Sequence, residues 1–365
     1  MKKIIFVIMA MLVCITGCAT VDKGTRDAIR CISFSPDGKK ILFDRRNVGR
    51  ASMIHVYDLE TGDLSAYQSP KGETWGHARY SFDGKHIVFI AMPLIGHKED
   101  PANWQIAVMD PDGKNVRKIT NTTGLKIYPS FSHSGGKIIF ARADVIRTSG
   151  GTPAADYDVY EVDVETGRET RLTHFKFFQM SNPYYFPDDK TFVFWGESPF
   201  AYPAIPNSDR NPAVMKKINK ELQSKYKYNS IYVMQANEKE LKPYLVMPEY
   251  QKKFKDYVAV SESSRLPSLN ADGSVLIFMS IGYKPDGSAD WDQLYQYSAD
   301  GNHRCITHLY KATIWSQAVS PKGELVAIVY GELTKNKIVL YQVKDGTSRE
   351  ITLPDQPSRI INRNE

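Results

Sequence analysis

The ten residues Phe34 to Phe43, FSPDGKKILF, are written with small changes five more times along the chain. The later copies are YSFDGKHIVF from Tyr80, FSHSGGKIIF from Phe131, YFPDDKTFVF from Tyr185, LNADGSVLIF from Leu269 and VSPKGELVAI from Val319. Each copy begins and ends on an apolar or aromatic residue and holds a polar turn between them. Five copies place glycine at the fifth position: Gly38, Gly84, Gly135, Gly273 and Gly323. Glycine enters positive φ without a Cβ clash, which a short hairpin connection commonly demands. The remaining copy carries Asp189, a residue type that tolerates the left-handed region better than most. The phrase predicts strand, tight turn, strand.

A second phrase follows each first one. It reads IHVYDLETGDLSAY from Ile54, IAVMDPDGKNVRKIT from Ile106 and VYEVDVETGRETRLT from Val159. It returns as IYVMQANEKELKPYLV from Ile231, LYQYSADGNHRCIT from Leu294 and IVLYQVKDGTSREIT from Ile338. Each is again strand, Asp- and Gly-rich turn, strand. Two hairpins per copy make a four-stranded antiparallel unit, and six units predict an all-β, six-bladed β-propeller. The second strands are apolar on consecutive residues (ILF, IVFIA, IIFA, FVFW, LIFM, VAIVY), as suits strands covered on both faces by neighbouring blades.

The ends of the chain read differently. Lys2 and Lys3 precede the apolar run Ile4 to Ile15, and Ile15-Thr16-Gly17-Cys18 closes it. This is the pattern of a secretory signal, and its end resembles the lipobox of bacterial lipoproteins. The resemblance implies cleavage after Gly17 and a lipidated Cys18, with Ala19 favouring the outer membrane, facing the periplasm, over the inner membrane. The expected organisation is a signal peptide 1–17, a linker 18–29, a propeller 30–353 and a C-terminal tail 354–365. Thr20–Ile29 and Pro354–Asn364 are the two candidates for closing the ring.

The S-P-D-G-K-x-I-x-F phrase, followed by I-Y-V-M-D and L-T, resembles the TolB-type, or WD-like, propeller repeat. The resemblance spans about Arg30 to Leu353 and implies a fold more than a function, because this repeat serves many proteins. TolB itself carries an N-terminal α/β domain, and none is expected here. Propellers of this type also precede the hydrolase domain of prolyl oligopeptidases, which needs a G-x-S-x-G elbow. None is present. Charges of both signs are scattered through a chain of formal net charge +6, without a basic block, which speaks against nucleic acid. No C-x-x-C exists, and no cofactor or metal is expected from the motifs. Cys31, on an inner strand, and Cys305, on an outer one, are not expected to pair.

Strand alternation sorts the connections onto two faces, and every long insertion falls on one of them. These are Ala91–Trp104, Arg142–Tyr157, Trp195–Asn229 and Ser280–Asp292, with the blade crossing Met247–Leu266. The largest contains Asn211-Pro212 followed by Val214, Ile218 and Leu222, which predicts a short amphipathic helix inserted in blade 4. Loops carry binding residues on a rigid scaffold. The inner strands start at the same mouth, and alignment of the copies places Arg30, Trp75, His77, Tyr128, Asn182, Arg265 and Trp315 there as a candidate ligand or partner ring. The expectation is a lipid-anchored envelope module that binds a protein partner through the long-loop face. The alternative is a carbohydrate-binding protein, or a metal-assisted polysaccharide lyase comparable to oligogalacturonate lyase, using the aromatic mouth. Of eight histidines, only His77, His97, His174 and His308 are placed to converge there. Asp286, Asp290 and Asp292 lie close in sequence but lack a full calcium-loop pattern.

Overall fold

The computed structural model describes residues 28–46, 52–96, 98–145, 154–177, 179–197, 229–239, 265–283, 289–298, 303–309, 313–332 and 335–361. The signal segment with Cys18 and the expected helix near Asn211 lie outside the described residues. Among the described residues the sole helical element is a 3₁₀ turn, Pro101–Asn103, and no helix is long and apolar enough to cross a membrane.

Six separate sheets follow one another along the chain. The inner strands are Ala28–Phe34, Glu73–Tyr80, Leu125–Phe131, Gln179–Tyr185, Arg265–Leu269 and Thr313–Val319. Second strands are Lys40–Arg46, Ile87–Ile95, Lys137–Val145, Phe192–Glu197, Val275–Tyr283 and Leu325–Glu332. Third strands are Met53–Asp58, Gln105–Met109, Ala154–Asp163, Asn229–Met234, Ala289–Ser298 and Lys335–Gln342. Leu64–Tyr67, Arg117–Lys118, Glu169–Arg171, His303–Cys305 and Ser348–Ile351 are outer strands. The outer strand expected for blade 4 falls beyond its described residues.

The repeated phrase folds as its turn chemistry requires. Gly38 N–H donates to Ser35 O, and Ser35 N–H reaches Lys40 O, both at 2.9 Å. Asp37 accepts the Lys39 amide at 3.0 Å, and the Ser35 hydroxyl, with that amide, holds its carboxyl below the ordinary range. Gly38 sits at φ +72°, and Asp189 takes the same left-handed region at +52°. The second phrase ends in Ile/Leu-Thr for a separate reason. Thr120, Thr173 and Thr307 accept the amides of Ile106, Val159 and Leu294 on the third strands, each at 2.9 Å. Their hydroxyls donate onward to Gln105, Asp158 and Gln293. The outer hairpin is thereby pinned where its ladder runs out.

The core lies between blades. Phe43, Phe89, Phe140, Phe194 and Phe278, equivalent positions on five second strands, and Ile328 in the sixth are all inaccessible to solvent. Burying each such side chain contributes about 1.5–3 kcal/mol, and the sheets gain it by stacking face to face around the ring.

Closure comes from the C-terminal tail. Arg359–Ile361 adds a fifth strand to blade 1, parallel to Leu64–Tyr67. At the inner seam Asn336 of blade 6 imitates a strand: its Oδ1 accepts Ile29 N–H and its Nδ2 donates to Ile29 O, both at 2.9 Å. Ile32 N–H also donates to Ser316 Oγ at 3.0 Å. Both the first inner strand and the closing strand have their open ends on the long-loop face, since the closing strand runs with the outer strand toward it.

Candidate functional site: the propeller hub

Among the described residues, three of the expected insertions carry extensions of the blade strands. In blades 3 and 5 the second and third strands run on past the sheet as two-stranded ribbons, and in blade 2 the second strand does so against a separate short strand, Lys98–Glu99. Asp144 pairs with Ala155 and Val145 with Ala154, Tyr283 pairs with Ala289, and Leu94 pairs with Glu99. An irregularity precedes the first two of these pairings. All of them project from one face. The opposite face is closed by its short turns, which interlock across the axis. His133 of blade 3 makes a 2.9 Å hydrogen bond to Ala271 O of blade 5, and the His133 amide donates to Asp189 of blade 4 at 2.6 Å. Ala271 N–H reaches Pro321 O of blade 6 at 3.1 Å. The hub is therefore approached from the ribbon face.

Inside the hub every inner strand breaks its register, five of them at equivalent positions and the sixth one residue earlier. Shifts fall between Arg30 and Ser33, Gly76 and Arg79, Ile127 and Ser130, Ser181 and Tyr184, Arg265 and Ser268, and Ile314 and Ser316. Five of these bulges hold a non-glycine residue at positive φ: Cys31, His77, Tyr128, Asn182 and Leu266, at +48° to +57°. A bulge inserts one residue and re-aims its side chain, and left-handed backbone at such residues costs of order 1 kcal/mol or more each. Five repeats of that cost around one axis mark the ring where the structure spends stability on side-chain direction.

The bulge residues meet their neighbours. Cys31 Sγ lies 3.4 Å from His77 Nδ1, and the His77 ring meets Tyr128 edge-on at 5.0 Å and Trp104 at 6.1 Å. Asn182 Nδ2 donates to Pro267 O at 3.2 Å. Arg79 reaches across from blade 2 to lie 4.3 Å from the Tyr184 ring of blade 4, with a buried Nη1 that makes no hydrogen bond.

Asp44, on the second strand of blade 1, is 6% exposed and completes a cluster with Cys31 and His77. One donor atom from each of the three lies within 4.8 Å of the others. Asp44 Oδ2 accepts the His77 amide at 2.8 Å, while Oδ1 is buried without a hydrogen-bond partner. Burial pushes this carboxyl up to about 7, against the opposing pull of the His77 amide, the Cys31 thiol and the Arg30 charge. Burial, with help from Arg79 and Arg30, lowers His77 to about 3, so its ring is neutral at physiological pH.

The sequence-derived ring divides in the folded protein. Arg30, His77, Tyr128 and Asn182 belong to the hub. Trp75 does not line it: its ring is 1% exposed, packs on Phe89 at 4.6 Å and bonds Glu73 through Nε1 at 2.7 Å. Arg265 is tied to Asp292 at 3.1 Å, and Asp292 also accepts the Ile314 amide at 3.1 Å, so this acid serves the seam of blades 5 and 6. Trp315 packs against the core between blades 6 and 1 and donates to Gly331 O at 2.8 Å. Of the described histidines among the four, His77 alone belongs to the hub. His174 and His308 are exposed, and His97 lies outside the described residues. Cys31 and Asp44 escaped the sequence reading. Cys31 stands three residues before Phe34, as His77 stands before Tyr80, and that register was the available signal. Neither Cys31 nor Cys305 is in a disulfide.

No protein-family model matches the sequence, and no curated protein matches it. Solved structures do. TolB from Acinetobacter baumannii aligns with a TM-score of 0.55 at 17% identity, covering 96% of this chain and 68% of that one. The fold is a TolB-like six-bladed propeller. An oligogalacturonate lyase in complex with manganese aligns at 0.54 and 14% identity, covering 93% and 84%. The β-propeller domain of the Trilobed protease from Pyrococcus furiosus, described as having an open velcro topology, aligns at 0.50 and 14% identity over 89% and 83%. At such identities the likeness extends to the fold alone.

Proposed function

We propose that this TolB-like propeller is a binding module of the bacterial envelope, anchored through Cys18, which docks a protein partner on its ribbon face. The observation that carries the reading is the asymmetry of the disc. One face is closed by interlocked turns, and the other is built up by strands that continue beyond their blades. Extending a hairpin past its sheet gives up inter-blade packing and leaves side chains such as Ile95, 68% exposed, in solvent. A large apolar side chain at the end of a stiff ribbon is suited to inserting into a partner.

A photo-crosslinking amino acid placed at Ile95 in the native envelope tests the reading. The expected outcome is a discrete adduct absent when the same probe replaces Lys85, an exposed turn residue on the opposite face. Equal or absent crosslinking from both positions would refute it. Growth in labelled palmitate, with Cys18→Ser as the control, tests the anchor separately.

A further inference from the structure

We propose that Cys31, His77 and Asp44 form a zinc-binding site at the propeller hub, with an open coordination position facing the channel. The proposal does not depend on the docking role of the ribbon face. Three observations carry it, beginning with donor type. A thiolate sulfur, an imidazole nitrogen and a carboxylate oxygen from two blades converge within 4.8 Å of one another. Zinc takes this mixed set, whereas magnesium, calcium and manganese favour oxygen donors.

The second is distance. Zn–S near 2.3 Å and Zn–N near 2.05 Å at a tetrahedral angle set the two donors about 3.6 Å apart. Cys31 Sγ and His77 Nδ1 stand at 3.4 Å, so little movement is needed to bridge them.

The third is the construction around Asp44. One oxygen of its buried carboxyl is fixed by the His77 amide, while the other has no hydrogen-bond partner. A buried, unsatisfied carboxylate oxygen costs stability unless something meets it, and the held oxygen supplies the orienting contact that metal ligands commonly have. The approach is possible because residue 76 is glycine. A Cβ there would stand 2.8 Å from Asp44 Oδ2 and 3.0 Å from Met92 Cε. Cys31 and His77 each adopt left-handed backbone, and their bulges turn both donors to the same spot.

A chemical balance agrees with burial. The thiol proton, and the Asp44 proton where that group is protonated, leave for solvent as the metal enters. Thiolate, carboxylate and Zn²⁺ then sum to zero, so the loaded site buries no net charge beside Arg30 and Arg79. Three protein ligands leave a fourth position for water or substrate, the arrangement of zinc sites that act as Lewis acids rather than as structural ties. Nothing else in the cluster resembles a thiol-protease dyad oriented by an acid, because Asp44 bonds the His77 backbone and not its ring.

The test uses the untagged full chain, stripped with chelator and kept reduced with a phosphine, titrated with Co²⁺ and then with Zn²⁺. The expected result is a saturable one-to-one cobalt spectrum with a thiolate charge-transfer band that zinc displaces. Cys31→Ser should abolish the band, and His77→Ala and Asp44→Asn should each weaken affinity about 10- to 100-fold. Cys305→Ser should leave the spectrum unchanged. Thermal melts of the metal-free variants separate lost ligation from lost folding. Where Cys31→Ser or Asp44→Asn melts early, Gly76→Ala, which leaves all three ligands in place, supplies the second measurement and should weaken cobalt binding at least tenfold. Absence of a saturable band in the wild type, or a band that survives Cys31→Ser and disappears in Cys305→Ser, would overturn the proposal.

Discussion

Replacement of Asn336 by alanine probes how the ring is held shut. Its amide makes two hydrogen bonds, to Ile29 N–H and to Ile29 O, each at 2.9 Å. Ile29 is 4% exposed and lies at the inner seam between the last blade and the first. Alanine would strand one backbone donor and one acceptor together. Leaving a buried polar group without its partner costs about 1–3 kcal/mol, so two such groups set a range of about 2–6 kcal/mol. The lower half is expected, because both bonds are only partly buried. Asn336→Asp keeps an acceptor for Ile29 N–H but turns a carboxylate oxygen on Ile29 O, and should be no milder than alanine. Urea unfolding followed by tryptophan fluorescence, with thermal melts alongside, measures the loss. A tail truncation ending at residue 355 removes the outer closing strand. Because the two contacts lie at opposite edges of blade 1, the double variant should lose roughly the sum if they act independently, or less if opening either edge frees the blade. A change below about 0.5 kcal/mol in Asn336→Ala would show that blade stacking alone closes the ring and refute the reasoning.

Two further outcomes are expected. Gly113 sits at φ +84° and a Cβ there would stand 2.7 Å from Ile361 Cγ2, so Gly113→Ala should destabilise by about 1–3 kcal/mol. Adding Ile361→Ala should recover the steric part of that loss in the same melt, and no recovery would mean that the closing strand does not pack there. Lys126 is fully buried and donates to Thr122 O and, at 3.3 Å, to Trp104 O. Burial lowers its pKa from 10.5 to about 8, with Glu169 opposing. The unfolded chain therefore holds more protons than the folded one between about pH 8 and 10.5, and this residue's contribution to stability should rise with pH through that window. Denaturation at pH 8 and pH 10 should show the rise in wild type and its loss in Lys126→Met; equal slopes in the two proteins would refute the assignment.

The blade count was legible because the turn carries its own chemistry. Gly38, Gly84 and their equivalents stand where positive φ is needed, and the Ile/Leu-Thr endings mark the pins beneath the outer hairpins. Less of the hub could be read. Counting back from each aromatic assumes unbroken alternation, and the bulges break it. The same two-residue step that puts Trp75 and His77 on one face of an ideal strand sends Trp75 into the inter-blade core instead. Asp44 joins the cluster from the neighbouring strand, a contact that no spacing within one strand encodes. The ribbons were read as loops because their residues, such as Asp144 and Ala155, lack the apolar alternation of a half-buried strand: with no blade against them there is nothing to select it. The closing strand, Arg359–Ile361, is three residues without a turn signal, and its pairing with Leu64–Tyr67 joins opposite ends of the chain.

Because the first inner strand starts and the closing strand finishes on the ribbon side, a lipid on Cys18 would act as a short leash attached there. Residues 19–27, even fully drawn out, reach about 30 Å. The ornamented side would then hang toward the bilayer, and whatever it grips would have to be embedded in that leaflet or stand close above it. A reporter fused after residue 365 would crowd the same gap, whereas one spliced into the opposite-face turn at Lys85 would point away and leave it open.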